Sequence, residues 1–348
     1  MAGEIWVLGA TGRVGREAVT LLRKAGAEVV VTGRERERLA TAGPDLRAVT
    51  GSLDEVCARL AAERPAVVVN TVGPFTATAP KVVRACPPGT CYVDVANELS
   101  AFEALHAIGG EAGRTLVSGA GFGVLATESI LLHLLAGEEQ PSRVRVDAVA
   151  SVAIEAGPIG AALASTIVET MRDGGREVRR GRLVRTRAGR AAERLTTPEG
   201  DVVTTAALGS GELFAAWRAS GADSVIGASA LVPANPAVRA ALPAVGGVLR
   251  LPGVAGFAAR RLARVTIATA KERPRPSSWA RARVEWPSGR VREGWLRTGE
   301  AMTFTVEAVT EVARRLAAGE GRPGAFTPAR LLGPEVALAA GAEFTVTR

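Results

Sequence analysis

Ile5-Trp6-Val7-Leu8-Gly9-Ala10-Thr11-Gly12-Arg13-Val14-Gly15 decides the fold. An apolar strand runs into glycines spaced G-x-x-G-x-x-G, and an amphipathic helix over about 14–24, closed by Gly26, follows. Gly9 permits a tight strand-to-helix turn, Gly12 lets the backbone approach a pyrophosphate, and Gly15 lets the helix pack close to the strand. The unpaired N–H groups and positive end of a helix favour a phosphate there. The motif therefore predicts a dinucleotide site built from Gly9, Thr11, Gly12, Arg13, Val14 and Gly15.

Working outward, Glu28-Val29-Val30-Val31-Thr32-Gly33-Arg34 reads as the second strand. Where an NAD-binding unit carries Asp or Glu for the ribose 2′-hydroxyl, this chain carries Arg34. A guanidinium offers forked donors and permanent charge, which suits a 2′-phosphate. NADP(H) is the expected cofactor. Arg36 and Arg38 alternate with Glu35 and Glu37 and read equally well as a solvated helix start.

The strand–helix alternation continues. Short strands end at Gly51-Ser52-Leu53, at Asn70-Thr71-Val72-Gly73-Pro74-Phe75, at Ala96-Asn97-Glu98 and at Gly119-Ala120-Gly121-Phe122-Gly123. The last is read as a loop, with helices around 54–63, 79–85, 100–110 and 129–135. In a doubly wound sheet the carboxyl ends of the strands line the ligand crevice. Ser52, Leu53, the run Asn70 to Phe75 and Asn97 are accordingly expected at the cofactor. Beyond about residue 140 the period changes to two, as in Val144–Ala150, and Arg281–Trp286 and Val291–Leu296 flank a Pro287-Ser288-Gly289 turn. The expected architecture is α/β: a Rossmann-type doubly wound parallel sheet plus an α+β substrate domain with a largely antiparallel sheet. The expected boundaries are 1–138 for the NADP-binding domain, 139–322 for substrate binding and dimerisation, and 323–348 packing back on the first.

At 348 residues and 47% apolar composition the chain can bury two cores. The net charge of +8 comes almost wholly from arginine, the lysines being Lys24, Lys81 and Lys271. Aromatics make up only 4% and no nucleic-acid module is visible, so no nucleic-acid partner is expected. Cys57, Cys86 and Cys91 form no CxxC pair and fit reduced thiols in a cytoplasmic protein. The only histidines are His106 and His133, and no metal is expected. No signal peptide is expected ahead of the first strand. Prolines and arginines break the most hydrophobic region, about 228–259, so no membrane span is expected there; it reads as a lid or loop-rich core. The run Arg176–Arg194 holds eight arginines against Glu177 and Glu193. It reads as a solvated hairpin or as a landing patch for an acidic carrier protein, a CoA-type phosphate or another polyanion.

Asn70-Thr71-Val72-Gly73-Pro74-Phe75, Cys86 and Tyr92-Val93-Asp94-Val95-Ala96-Asn97-Glu98 together resemble the NADP-binding domain of saccharopine dehydrogenase-like reductases. Gly9-Ala10-Thr11-Gly12, the Gly121-Phe122 loop, the helix led by Gly160 and the late Pro323-Gly324-Ala325-Phe326-Thr327-Pro328 agree. The chain is similar to the branch that contains the trans-acting enoyl reductases and other saccharopine dehydrogenase-like oxidoreductases. The resemblance implies a Rossmann domain, an α/β substrate domain, NADPH as hydride donor and the Gly73-Pro74-Phe75 loop beside the nicotinamide. It implies Phe122 and Gly160 on the substrate side. Two departures lie at the crevice: Asn97 replaces a glycine, and Gly123–Glu128 replace an acidic residue followed by Pro-Ser-Asp.

Hydride transfer needs an oriented nicotinamide, and a C=C or C=O acceptor also needs a proton. Tyr92, the sole tyrosine, is followed four residues later by Ala96, which excludes the Tyr-x-x-x-Lys chemistry of short-chain dehydrogenases. The catalytic candidates are Asn97, Glu98 and Tyr92. Tyr92 reads also as a core strand residue, and Glu98 also as a helix cap. The expected activity is an NADPH-dependent reductase acting on a C=N or C=C bond of a small-molecule substrate, free or linked to CoA or a carrier protein, in secondary or amino-acid-like metabolism. A homodimer is expected. The alternative is a non-catalytic NADP(H)-binding redox sensor or regulatory protein.

Overall fold

The computed structural model describes residues 3–43, 45–109, 113–153, 156–270 and 272–347; Gly110, where the helix from residue 100 was expected to end, and Lys271 lie outside them. The chain divides into two units, one made of 1–96, 101–121 and 302–340, the other of 97–100, 122–301 and 341–348.

The first unit alternates β1 (Ile5–Leu8), α1 (Arg13–Lys24), β2 (Val29–Gly33), α2 (Arg36–Ala40), β3 (Arg47–Thr50) and α3 (Leu53–Glu63). It continues with β4 (Val67–Asn70), α4 (Phe75–Ala85), β5 (Cys91–Asp94), α5 (Leu99–Ile108, whose first two residues count with the second unit) and β6 (Thr115–Val117). All pairings are parallel, and the order β3-β2-β1-β4-β5-β6 is doubly wound. A seventh strand, from residues 324–326, lies beyond β6. Runs such as Val67-Val68-Val69 are wholly buried, because a parallel sheet is covered on both faces. Trp6, Leu60, Val82 and Leu105 lie in one core cluster with Tyr92. Helix α4 starts at Phe75, four residues earlier than expected, since Pro74 serves as its N-cap and Pro80 is accommodated inside it.

The second unit opens with a π-helical turn over Phe122–Ala126 that feeds α6 (Thr127–Leu135). The sequence predicted a loop there. The Thr127 hydroxyl donates to the carbonyls of Gly123 and Val124, which helps hold the wider turn. There follow β7 (Arg143–Val149), β8 (Gly157–Pro158), α7 (Ala161–Asp173), β9 (Gly175–Arg179), β10 (Arg182–Thr186), β11 (Glu193–Thr196) and β12 (Val202–Ala207). Then come α8 (Gly211–Ser220), β13 (Ser224–Ser229), α9 (Pro236–Leu249), α10 (Val254–Ala263), β14 (Thr266–Ile267), β15 (Ser278–Glu285) and β16 (Val291–Thr298). The unit's nine-stranded sheet is antiparallel except where β13 meets β7. The predicted hairpin around Pro287-Ser288-Gly289 is β15–β16, paired in register from Ser278–Thr298 to Glu285–Val291. The stretch 236–263 is two helices rather than loop: Pro236 occupies the first turn, where a missing N–H is harmless, and Asn235 caps it.

The chain then runs through α11 (Ala301–Ala317), β17 (Gly324–Phe326), α12 (Pro328–Leu332) and α13 (Glu335–Ala339) to β18 (Glu343–Thr347). β17 is the seventh strand of the first sheet, and β18 pairs with β16 in the second.

Candidate functional site

In the first unit, β1 is followed by Gly9, whose φ of +79° favours glycine. The Gly12 N–H donates to the Gly9 carbonyl at 2.9 Å, closing the turn. A Cβ at Gly15 would stand 2.3 Å from the Gly9 carbonyl oxygen, so only glycine lets α1 sit this close to β1. Helix α1 carries no side-chain cap and no acidic residue in its first turn. Its leading N–H groups and positive dipole end, over Thr11, Arg13 and Val14, thus suit an anion. This cradle fits a dinucleotide pyrophosphate.

Arg34 follows the carboxyl end of β2 and is solvent-exposed. Ser52 is the N-cap of α3 in a complete capping box with Glu55, so its hydroxyl is occupied by the helix, with Leu53 beginning the first turn. The signature S-x-x-E was present in the sequence.

Asn70 is fully buried at the end of β4. Its amide donates to the Tyr92 hydroxyl at 3.0 Å and its carbonyl oxygen accepts from the Val72 N–H at 3.0 Å. The Thr71 hydroxyl donates to the Leu8 carbonyl at 2.7 Å, and the Gly73–Pro74 bond is cis. Thus 70–75 is a loop fixed by its own side chains, and Phe75 is buried at the head of α4.

Beneath it, Tyr92 is fully buried, in contrast to a residue open to substrate, and its hydroxyl donates to Asp94 at 2.9 Å. Asp94 also accepts from the Ser118 hydroxyl and from the Ala96 and Gly119 N–H groups. Burial pushes the Asp94 carboxyl up to about 6, against the lowering by those four donors. Burial likewise pushes the Tyr92 phenol well above its ordinary range and the Cys86 thiol up to about 12.

A second polar cluster belongs to the other unit. Half-buried Asn97 donates its amide to Glu212 at 3.3 Å, and its backbone carbonyl accepts from the Gly211 N–H at 2.9 Å. Glu98 is fully buried; it accepts from the Asn97 N–H at 3.1 Å and from the Thr166 hydroxyl of α7 at 2.7 Å. Glu212, buried at the start of α8, has its pKa raised by burial, partly offset by Ser210, its own backbone and Asn97. The Asn97 side-chain amide oxygen, Oδ1, is buried with no hydrogen-bond partner among the described residues. A buried acceptor of this kind calls for a partner, which a ligand or an ordered water can supply.

Phe122 is buried in the π turn, whereas Gly160 caps α7 with a φ of +81°. Sequence reasoning missed Glu212. A Cβ at Gly123 would fall 2.2 Å from its carboxylate, so the glycine makes room for the acid. The available signal was a lone acid in the first turn of the apolar segment Leu213-Phe214-Ala215-Ala216-Trp217.

No protein-family model matches this sequence, and no curated protein does. Among solved structures, an apo saccharopine dehydrogenase (L-Glu forming) from Saccharomyces cerevisiae is similar over 99% of this chain and 100% of its own, with a TM-score of 0.60 and 13% identity. The fold is thus that of saccharopine dehydrogenase across the whole chain, as the resemblance in residues implies. A short-chain dehydrogenase from Streptomyces avermitilis matches 33% of this chain and 63% of its own, at 18% identity and a TM-score of 0.29. One from Vibrio parahaemolyticus matches 33% of this chain and 82% of its own, at 16% and 0.28.

Proposed function

We propose that the chain is an NADPH-dependent reductase that delivers hydride to a C=N or C=C bond of a small metabolite, free or carried on CoA or a carrier protein. The observation that carries this reading is the uncapped, acid-free start of α1 behind Gly9, Gly12 and Gly15, with Arg34 at the end of the neighbouring strand. When bound, the cofactor supplies the hydride. The chain's residues bind and orient: the α1 turn holds the pyrophosphate, Arg34 the 2′-phosphate, and the loop Asn70 to Phe75 the nicotinamide end.

An iminium acceptor takes hydride without a proton, whereas an enoyl acceptor needs one. Asn97 offers substrate its side-chain amide oxygen. Behind it, Glu212 is held toward its protonated form by burial and is the group that stores the proton. Tyr92 positions the floor of the crevice through Asn70 and Asp94, and Glu98 positions Asn97. The full burial of Tyr92 and Glu98 also favours a second reading, an NADP(H)-binding regulator without turnover.

One titration series tests this. NADPH should bind more tightly than NADH, and Arg34→Ala should weaken NADPH by ~1.5–3 kcal/mol, about ten- to hundredfold, while leaving NADH nearly unchanged. Equal losses for both cofactors would remove the 2′-phosphate assignment. With NADPH bound, imine and enoyl acceptors are then screened for loss of reduced-cofactor fluorescence. Turnover that falls in Glu212→Gln for an enoyl but not for an imine places the stored proton. Tight binding with no acceptor consumed selects the regulator.

A further inference from the structure

Helix α9 is built from Pro, Ala, Val, Gly and Leu, with Arg239 as its one charged or polar residue. A helix of that composition belongs inside a protein. Here only Gly246 and Leu249 are buried. Val238, Ala241, Val245 and Val248 recur at helical spacing along an exposed stripe. Leu231, Val238, Val245, Val248, Leu251 and Phe257 are each 43–76% exposed, the last on α10, which buries none of its residues. α9 and α10 meet at 115°, and no single described helix is long and apolar enough to cross a membrane.

Within the segment that carries this stripe the charge has one sign. No Asp or Glu occurs between Asp223 and Glu272, whereas Arg239, Arg250, Arg260, Arg261 and Arg264 do. The arginine-rich run, left open by the sequence, folds as the β9–β10 hairpin and adjoins the same helix. Arg187 donates to the Ala240 carbonyl at 3.4 Å, and a Cβ at Gly189 would lie 3.3 Å from the Arg239 side chain. Arg180, Arg182 and Arg185 on that hairpin are exposed. The segment that leaves the basic hairpin, Arg187 to Gly189, therefore adjoins the helix that carries the apolar stripe, within the second unit.

We infer that this surface docks on an anionic lipid bilayer, with α9 and α10 lying in its interface. A bent, non-spanning apolar pair whose own charged residues are all arginines matches an interfacial anchor: apolar side chains enter the acyl boundary while guanidinium groups meet lipid phosphates. An acidic protein would satisfy the arginines but leave the valine stripe and Phe257 without a role. The inference stands apart from the reductase reading, since neither the cofactor cradle nor Asn97 enters it.

The test is flotation of the full-length protein with vesicles of phosphatidylcholine alone and of phosphatidylcholine mixed with phosphatidylglycerol. Binding to the mixed vesicles only, weakened by salt, is expected. Val248→Glu and Phe257→Asp, each on an exposed site and checked for an unchanged unfolding midpoint, should weaken it on the order of tenfold or more. Arg180→Glu with Arg182→Glu should weaken it while leaving α9 and α10 intact. The inference is overturned if the unmodified protein ignores anionic vesicles or binds neutral ones equally. It also fails if the apolar variants float undiminished, or if they instead dissociate an oligomer in light scattering, which would make the surface a contact between copies of the chain.

Discussion

Asp94 carries the sharpest consequence at the scale of single residues. Its carboxyl sits near 6 in the fold against an ordinary 3.8, so between those values the folded state holds a proton that the unfolded state has released. Stability must then fall as pH rises through that window and level off above it, by about 3 kcal/mol for a shift of this size. Asp94→Asn keeps the shape and removes the titration. Measured by denaturant unfolding, the variant should therefore gain on the unmodified protein between about pH 4 and about pH 7. A difference that stays flat with pH, or runs the other way, would mean that burial does not outweigh the four donors at this carboxyl. Such networks are poorly legible in a sequence. Tyr92 was legible as a core strand residue, but Ser118, which donates to Asp94, follows a different strand, β6. Glu212 was harder still, since it meets Asn97 across 115 positions.

At the scale of elements, the strand–turn–helix at residues 5–24 was legible because everything that specifies it is local: an apolar run, glycines at fixed offsets, an amphipathic helix. Gly15 sets two effects against each other. Alanine is the better helix former by about 1 kcal/mol. Its Cβ, however, would meet the Gly9 carbonyl at 2.3 Å and the Thr71 hydroxyl at 2.9 Å. Overpacking against backbone costs about 1–3 kcal/mol, so the steric term should win. Gly15→Ala is expected to lower the thermal midpoint and weaken NADPH binding together, while Gly12→Ala, whose Cβ would sit 3.2 Å from the same oxygen, should be milder in stability. A stabilised Gly15→Ala protein with unchanged cofactor affinity would contradict the close packing of α1 on the turn. Elements whose signals conflict were misread. Prolines at 233, 236 and 243 looked like breakers, yet Pro236 begins α9 and Pro243 is carried within it. The π turn at Phe122–Ala126 shows no local mark that distinguishes it from loop.

The whole molecule depends on pairings that no local pattern encodes. β17 completes the first sheet from the far end of the chain: Ser118 N–H donates to the Phe326 carbonyl at 3.0 Å, and the Thr115 hydroxyl reaches the Arg322 carbonyl across 207 positions. β18, which begins at Glu343 after β17 has ended at Phe326, pairs instead with β16 of the other unit. Each unit is therefore discontinuous in sequence, and removing one end strips an edge strand from both. Consider a chain stopped after Gly319. It loses β17, α12, α13 and β18, and with them the burial of Leu332 and Val336, which by itself is worth on the order of 3–6 kcal/mol. That is comparable with the whole stability of an ordinary domain, roughly 5–15 kcal/mol. The shortened chain should lose the cooperative unfolding transition of the full protein and fail to bind NADPH, although every residue of the glycine turn remains. Retention of both would show that β1–β6 and their helices form a self-sufficient cofactor domain. The measurement to make is circular-dichroism melting of both chains with and without NADPH. Ligand bound only to the folded form raises the midpoint, its stabilisation growing as RT ln(1 + L/Kd), where L is the free ligand concentration.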